Sequence, residues 1–316
     1  MSNRRCQNAA DNSVTAPVVW WRLDSTIATA RFLTPEDRLK AQERLRANQT
    51  GVGSNEFKWP QVREALIDPK SYLWVMMALL LNVGASVTNT FGPLILGGLG
   101  FDKYITSLLN IPFGVVQVLV ILLSSWLAYR YKNKGFILLG LIVPVIAGLA
   151  ILFSIGRAKK DQGPLLVGYY LLGMLFGGNP LIVTWMIANT GGQTKKAVLM
   201  SLYNAGSSAG NIIGPLLFNA RDKPKYEPGL RIVLCLFCAL FLVVALQIAL
   251  LGFLNKRKEK ERVANGKPAK IIDRSMEKHY TAYEQDEEVP EGGVKLGQNA
   301  LLDMTDLAND EFVYVI

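Results

Sequence analysis

One histidine stands in 316 residues, His279, and it lies far from every apolar stretch. Its scarcity removes the usual general base of hydrolases and the commonest metal ligand. Three cysteines are too few for a disulfide framework. Cys6 sits near the N-terminus. Cys235 and Cys238 form a CxxC inside an apolar block, where packing accounts for them and no neighbouring Cys or His completes a redox or zinc site. The opening MSNRRCQNAADNSV has no apolar core followed by a cleavage site, so it does not read as a signal peptide. No phosphate-binding glycine loop and no metal cluster occur. No basic face with interleaved aromatics accompanies the net charge of +9, which argues against a nucleic-acid partner. The apolar blocks themselves hold no Asp, Glu, Lys, Arg or His deep within them.

What is present is apolar length. Half of the residues are hydrophobic, segregated into six blocks at 72–98, 105–129, 135–156, 164–188, 196–218 and 229–254. Each is long enough for a bilayer core, which needs ~20 helical residues. Lys and Arg crowd beside the blocks rather than within them, as in membrane proteins. Their distribution favours both ends on the cytoplasmic side, with Arg130, Lys132, Lys134, Lys195 and Lys196 in inside loops and NKRKEKER after the last span. The chain therefore divides into an irregular N-terminus (1–33), a cytoplasmic amphipathic or loop segment (34–71), a six-helix transmembrane domain (72–254) and a cytoplasmic, largely disordered tail (255–316). Within 34–71, Thr34-Pro35-Glu36-Asp37 reads as a helix start, with Thr34 as N-cap.

The polar residues inside the blocks are amides and hydroxyls. Asn82, Ser86 and Asn89 share a face of the first span, Asn110 and Gln117 lie in the second, and Asn179-Pro180 interrupts the fourth after Gly173, Gly177 and Gly178. In the fifth, Asn204, Ser208 and Asn211 fall within roughly 60° of one another, and Gly206, Gly210 and Gly214 form a second stripe more than ~100° away. The glycine stripe fits helix packing, and the amide stripes fit either bonds between helices or the lining of a polar cavity. Amides hydrogen-bond a small polar or anionic solute without burying a fixed charge.

Two motif matches do not stand. Gly206-Ser207-Ser208-Ala209-Gly210 fits G-x-S-x-G, but it lies mid-helix with no histidine base, so no catalytic residue is assigned and the chain does not read as an enzyme. Pro35-Glu36-Asp37-Arg38-Leu39-Lys40 fits the pattern of mitochondrial carriers once only, where that fold repeats it threefold. No cofactor or metal is expected.

Four segments carry a resemblance. FLTPEDRLKAQERLRANQTG (32–51), SWLAYRYKNK (125–134), NTGGQTKKA with NAGSSAGNIIGPLLFNARDKPKYEPG (189–229), and VKLGQNALLDMTDLANDEFVYVI at the C-terminus resemble the fungal allantoate permease-like branch, or anion:cation symporter family, of the major facilitator superfamily. In the second segment Leu127, Ala128, Arg130 and Lys134 match the superfamily's loop motif, while Ser125 and Tyr129 replace its Gly and Asp. The resemblance implies an all-α membrane protein equivalent to the C-terminal six-helix half of a twelve-helix transporter. It implies secondary active, proton-coupled transport of a small organic anion or nitrogenous solute such as allantoate, a vitamin acid or a small peptide. It also implies that a truncated chain lacks an N-terminal half which would supply the opposite wall of the cavity and the coupling carboxylate. The residues placed on the cavity are Asn82, Ser86, Asn89, Asn204, Ser208 and Asn211. The competing reading is a non-transporting membrane protein that acts as a partner or pseudotransporter. In either case the partners expected are the lipid bilayer and, for a transporter, a polar or anionic solute, and the expected location is the plasma membrane.

Overall fold

The structure is a computed structural model that describes residues 30–38, 41, 56–98, 103–156, 161–218, 221, 226–269 and 302–316. Of the N-terminal segment 1–33 only its last four residues fall within this set, and Cys6 and His279 lie outside it. Thr34 caps a helical turn as its sequence suggests. Its Oγ1 accepts the Asp37 backbone N–H at 3.2 Å and donates to the Asp37 carboxylate at 2.6 Å.

The helices are α1 (Trp59–Ile67), α2 (Pro69–Gly98), α3 (Lys103–Tyr131), α4 (Lys134–Ser154), α5 (Gln162–Leu171), α6 (Gly178–Ala188), α7 (Gln193–Leu216) and α8 (Glu227–Ala264). A 3₁₀ segment, Leu172–Gly177, joins α5 to α6. Asp68 separates α1 from α2, and its carboxylate accepts the Lys70 N–H at 3.0 Å. Asp68 thus caps a helix whose first residue, Pro69, has no N–H to satisfy. No strand occurs among the described residues.

α2 and α7 are the most closely packed pair, and the reason is the glycine stripe. A Cβ on Gly210 would come 2.5 Å from the Leu79 carbonyl oxygen, and one on Gly214 would come 2.8 Å from that of Val83. Two backbones approach this closely only where one helix has no side chains. Behind α2, the core continues through Trp74, Met77, Leu81, Leu138, Ile142, Trp185, Phe237 and Leu240 onto α4, α6 and α8. Trp74 and Trp185 meet edge to face with ring centroids 4.8 Å apart. α3 is the exception. It touches the 3₁₀ segment but leaves Tyr104, Leu108, Ile111, Leu119, Leu122 and Trp126 exposed, an apolar face turned outward.

The fourth expected span is broken where its glycines and Asn179-Pro180 fall. Pro180 cannot donate to a carbonyl one turn back, and the chain tightens into 3₁₀ geometry just before it. Among the described residues, five stretches are both long and apolar enough to cross a membrane: Pro69–Asn89, Tyr104–Tyr131, Lys134–Ser154, Gln162–Ala188 and Glu227–Ala264. The fifth expected span, α7, has the length at 24 residues but is more polar, because its amides, serines and lysines dilute its hydropathy.

Two expectations change at the C-terminus. The chain does not leave the bundle at Leu254, since α8 runs on through the basic run to Ala264. Lys258 and Arg262 lie one turn apart on the same face of α8 and are only 5% and 3% exposed, so the run is not uniformly solvated. Residues 302–316 pack against the bundle, while 270–301 lie outside the described residues. Cys235 and Cys238, expected as packing residues, sit on the exposed side of α8, opposite the buried Val233, Phe237 and Leu240.

Candidate functional site

The six residues placed on a common polar cavity separate into two groups. Asn82 and Ser86 are 5% and 6% exposed and point into the contact between α2, α6 and α7. Asn82 Nδ2 donates to the Ala78 carbonyl at 2.7 Å and to Asn179 Oδ1 at 3.3 Å. Asn179 Nδ2 returns a bond to Asn82 Oδ1 at 3.4 Å, and the Tyr203 hydroxyl donates to Asn179 Oδ1 at 2.9 Å. Ser86 Oγ donates to the Asn211 carbonyl at 3.0 Å. The result is a partly buried network of two amides and a phenol that pins three helices together.

Asn89, Asn204, Ser208 and Asn211 are exposed. The last three project from α7 on the side away from its glycine face, which is bound to α2. Asn211 Nδ2 satisfies itself on the Ser207 carbonyl at 3.1 Å. Four polar side chains therefore stand on an outward surface, and two are spent inside. Sequence spacing ranked all six equally, because periodicity reports which residues share a helix face but not which neighbour that face meets. Tyr203 was not anticipated. It is a lone aromatic beside Asn204, and nothing in the polar spacing marks it. Asn110, noted in the second span, accepts the Tyr169 hydroxyl at 3.0 Å, and Phe113 stacks on the same ring.

In the loop motif, Ala128 is buried, Leu127 and Lys134 are half-buried and Arg130 is exposed. The Lys134 backbone N–H, which opens α4, donates to the Ile316 carbonyl at 2.9 Å.

A charged cluster closes the end of the bundle where α2 and α7 begin. Lys195 Nζ donates to Glu64 Oε1 at 2.8 Å, Asp68 Oδ2 at 2.9 Å and Asp306 Oδ1 at 2.8 Å. Lys70 donates to the other oxygen of Asp306 and lies over the Tyr314 ring, 4.4 Å from its centroid. The Tyr314 hydroxyl donates to Asp306 Oδ2 at 3.0 Å. Burial pushes the Asp306 carboxyl up, but the two lysines outweigh it and hold the group down at about 2. Burial raises the Tyr314 phenol and the neighbouring Asp306 charge raises it further. Lys195 was read from the sequence only as an orientation marker. Its partner Asp306 lies 111 residues beyond it, where no local pattern links them.

Among the described residues, no group of His, Cys, Asp and Glu side chains is placed to hold a metal ion. An open groove of about 750 Å³ runs between α1 and the C-terminal segment, lined by Trp59, Arg63, Ile67, Pro69 and Leu307. Its lining includes none of the amide-stripe residues.

Comparison with known proteins places these features. The sequence profile of the Major Facilitator Superfamily matches residues 18–215. The chain is 28% identical over 302 residues to the thiamine pathway transporter THI73 of Saccharomyces cerevisiae, covering 93% of this chain and 50% of that protein. It is 34% identical over 237 residues to the MFS-type transporter cnsL of Penicillium expansum, covering 73% and 48%. It is 27% identical over 241 residues to the allantoate permease of Saccharomyces cerevisiae, covering 74% and 44%. The chain spans about half the length of the curated relatives it matches. No solved structure matches it significantly.

Proposed function

The chain belongs to the Major Facilitator Superfamily, and from that premise we propose that it forms one wall of a secondary transporter for a small organic anion or nitrogenous solute. The observation that carries this reading is the outward stripe of Asn204, Ser208 and Asn211 on α7, joined by Asn89 on α2. Such groups on a lipid-facing surface would cost free energy without return, whereas facing a water-filled cavity they are solvated until a solute arrives. Amides and hydroxyls offer a carboxylate or ureido group both donors and acceptors. The other wall comes from a second six-helix body, in the same polypeptide or another, and α7 crosses the bilayer with the other five spans. Transport then proceeds by rocking the two bodies about the shared site.

The apolar blocks of this chain carry no internal carboxylate. Proton coupling in this reading is therefore assigned to the opposite wall. The allantoate-permease branch is the favoured affiliation because the 189–229 segment resembles it, that resemblance favours the plasma membrane, and the Lys/Arg distribution favours both ends in the cytoplasm. The second reading is a non-transporting partner protein.

Uptake separates the two. Cells expressing the chain together with the N-terminal half of a matched relative are given labelled allantoate or nicotinate. Uptake above that of either half alone supports transport, and Asn204→Leu and Asn89→Leu abolish it without loss of membrane insertion. Normal uptake by both variants would remove these residues from the solute path.

A further inference from the structure

Residues 302–316 form turns and irregular backbone, yet Asp306, Asn309, Glu311, Phe312 and Tyr314 are each 3% exposed or less. A segment without helix or strand pairing must find partners for its buried polar groups elsewhere. Here the bundle supplies them, in two distinct ways.

The first is a pair of amide clamps on the peptide backbone. Asn189, in the turn between α6 and α7, accepts the Val315 N–H at 2.7 Å and donates to the Val315 carbonyl at 2.9 Å. Asn255 on α8 does the same for the neighbouring residue, accepting the Tyr314 N–H at 2.8 Å and donating to its carbonyl at 2.8 Å. Trp185 Nε1 adds a second bond to the Val315 carbonyl at 2.7 Å. These contacts read backbone and not side chain.

The second is a charged socket. Asp306 enters between Lys70 and Lys195, with 0% of its surface exposed. The Gly191 N–H donates to the same carboxylate at 3.2 Å, and a Cβ on Gly191 would come 2.5 Å from the Asp306 nitrogen, so the approach needs glycine there. Backbone bonds that supply affinity, combined with a pocket that reads one side chain, are the construction of a peptide-recognition groove.

We infer that the end of the bundle formed by α2, the 189–192 turn, α7 and α8 is a peptide-binding groove. Its ligand class is an acidic peptide with aromatic and aliphatic residues after the acid, and the chain's own residues 302–316 fill it as a releasable strap. The strap reaches α1, α2, α4, α7 and α8 as well as the end of α6. It ties the ends of these helices into one body. The inference does not depend on which solute is carried.

The experiment uses the full chain in detergent, with a protease site placed between residues 280 and 290 and a fluorophore attached at residue 302. After cleavage, the labelled fragment is expected to stay with the bundle through gel filtration and to be displaced by excess synthetic peptide 302–316. Loss of a buried charge-assisted contact predicts that a competing peptide carrying Asp306→Asn displaces it at least about tenfold less effectively. A peptide carrying Leu302→Ser, at a position 53% exposed, competes as well as the unaltered one. Because the bundle itself is unmutated in this comparison, no folding defect can imitate the result. Immediate loss of the fragment on cleavage, or equal competition by the Asp306→Asn peptide, would overturn the groove.

Discussion

Gly210 and Gly252 show how one residue type has two meanings in one bundle. Gly210 meets the Leu79 carbonyl oxygen, whereas a Cβ on Gly252 of α8 would meet nothing within 4 Å. Gly210→Ala therefore forces α2 and α7 apart and is expected to cost about 1–3 kcal/mol, as overpacking does. Gly252→Ala is expected to be neutral or to stabilise by up to about 1 kcal/mol, because it only raises helix propensity. Thermal unfolding in detergent checks both, and equal shifts would remove the glycine stripe from the helix contact. Tyr203→Phe deletes the donor to Asn179 and is expected to cost about 1 kcal/mol while leaving the exposed α7 stripe unaltered. The stripe of Gly206, Gly210 and Gly214 was legible in the sequence because spacing of four residues on a helix defines a face. Asn82 and Ser86 were legible as polar and helical but not as buried, since that depends on Asn179 and Tyr203 arriving from other helices.

Elements were easier to read than their ends. Apolar length alone marks α2, α3, α4 and α8, and the glycines before Asn179-Pro180 mark the 3₁₀ break. The end of α8 was not legible, because Leu254 closes the apolar pattern while the helix continues on a different basis. There Lys258 donates to the Leu307 carbonyl at 2.7 Å and Arg262 to that of Asp310 at 3.2 Å. A basic run reads as solvated in sequence, and only the returning strap turns one face of it inward. The strap itself has a pH signature. Asp306 is held at about 2 against an ordinary value near 3.8, so its contribution is complete above about pH 4 and lost as pH falls through 2. The nicked strap described above is expected to remain bound at pH 5.5 and to leave between about pH 4 and 2. Release centred near pH 6 would contradict the assignment of Asp306 as its anchor.

At the scale of the molecule, the chain has a closed side and an open side. Its glycine, tryptophan and strap contacts hold six helical stretches together, while the outer faces of α3 and α7 have no partner among the described residues. One of these faces is apolar and the other carries amides. The apolar face suits lipid or a second helical body, whereas the amide face needs water. The all-helical class was legible, because apolar length marks five of the six blocks as able to cross a membrane, while the polar α7 is not among them. The residues proposed for the cavity wall were legible only as a helix face, since spacing does not say what that face meets. The most direct measurement is the water accessibility of the α7 stripe in the membrane. Cys6, Cys235 and Cys238 are replaced by serine, the chain is expressed with a complementary half, and single cysteines are placed at Asn204, Ser208, Asn211 and Leu242, the last being 68% exposed on α8. Treatment with a charged, membrane-impermeant maleimide is expected to modify the first three and spare Leu242→Cys. If all four resist the reagent alike, the stripe faces lipid and the cavity wall proposed for it does not exist.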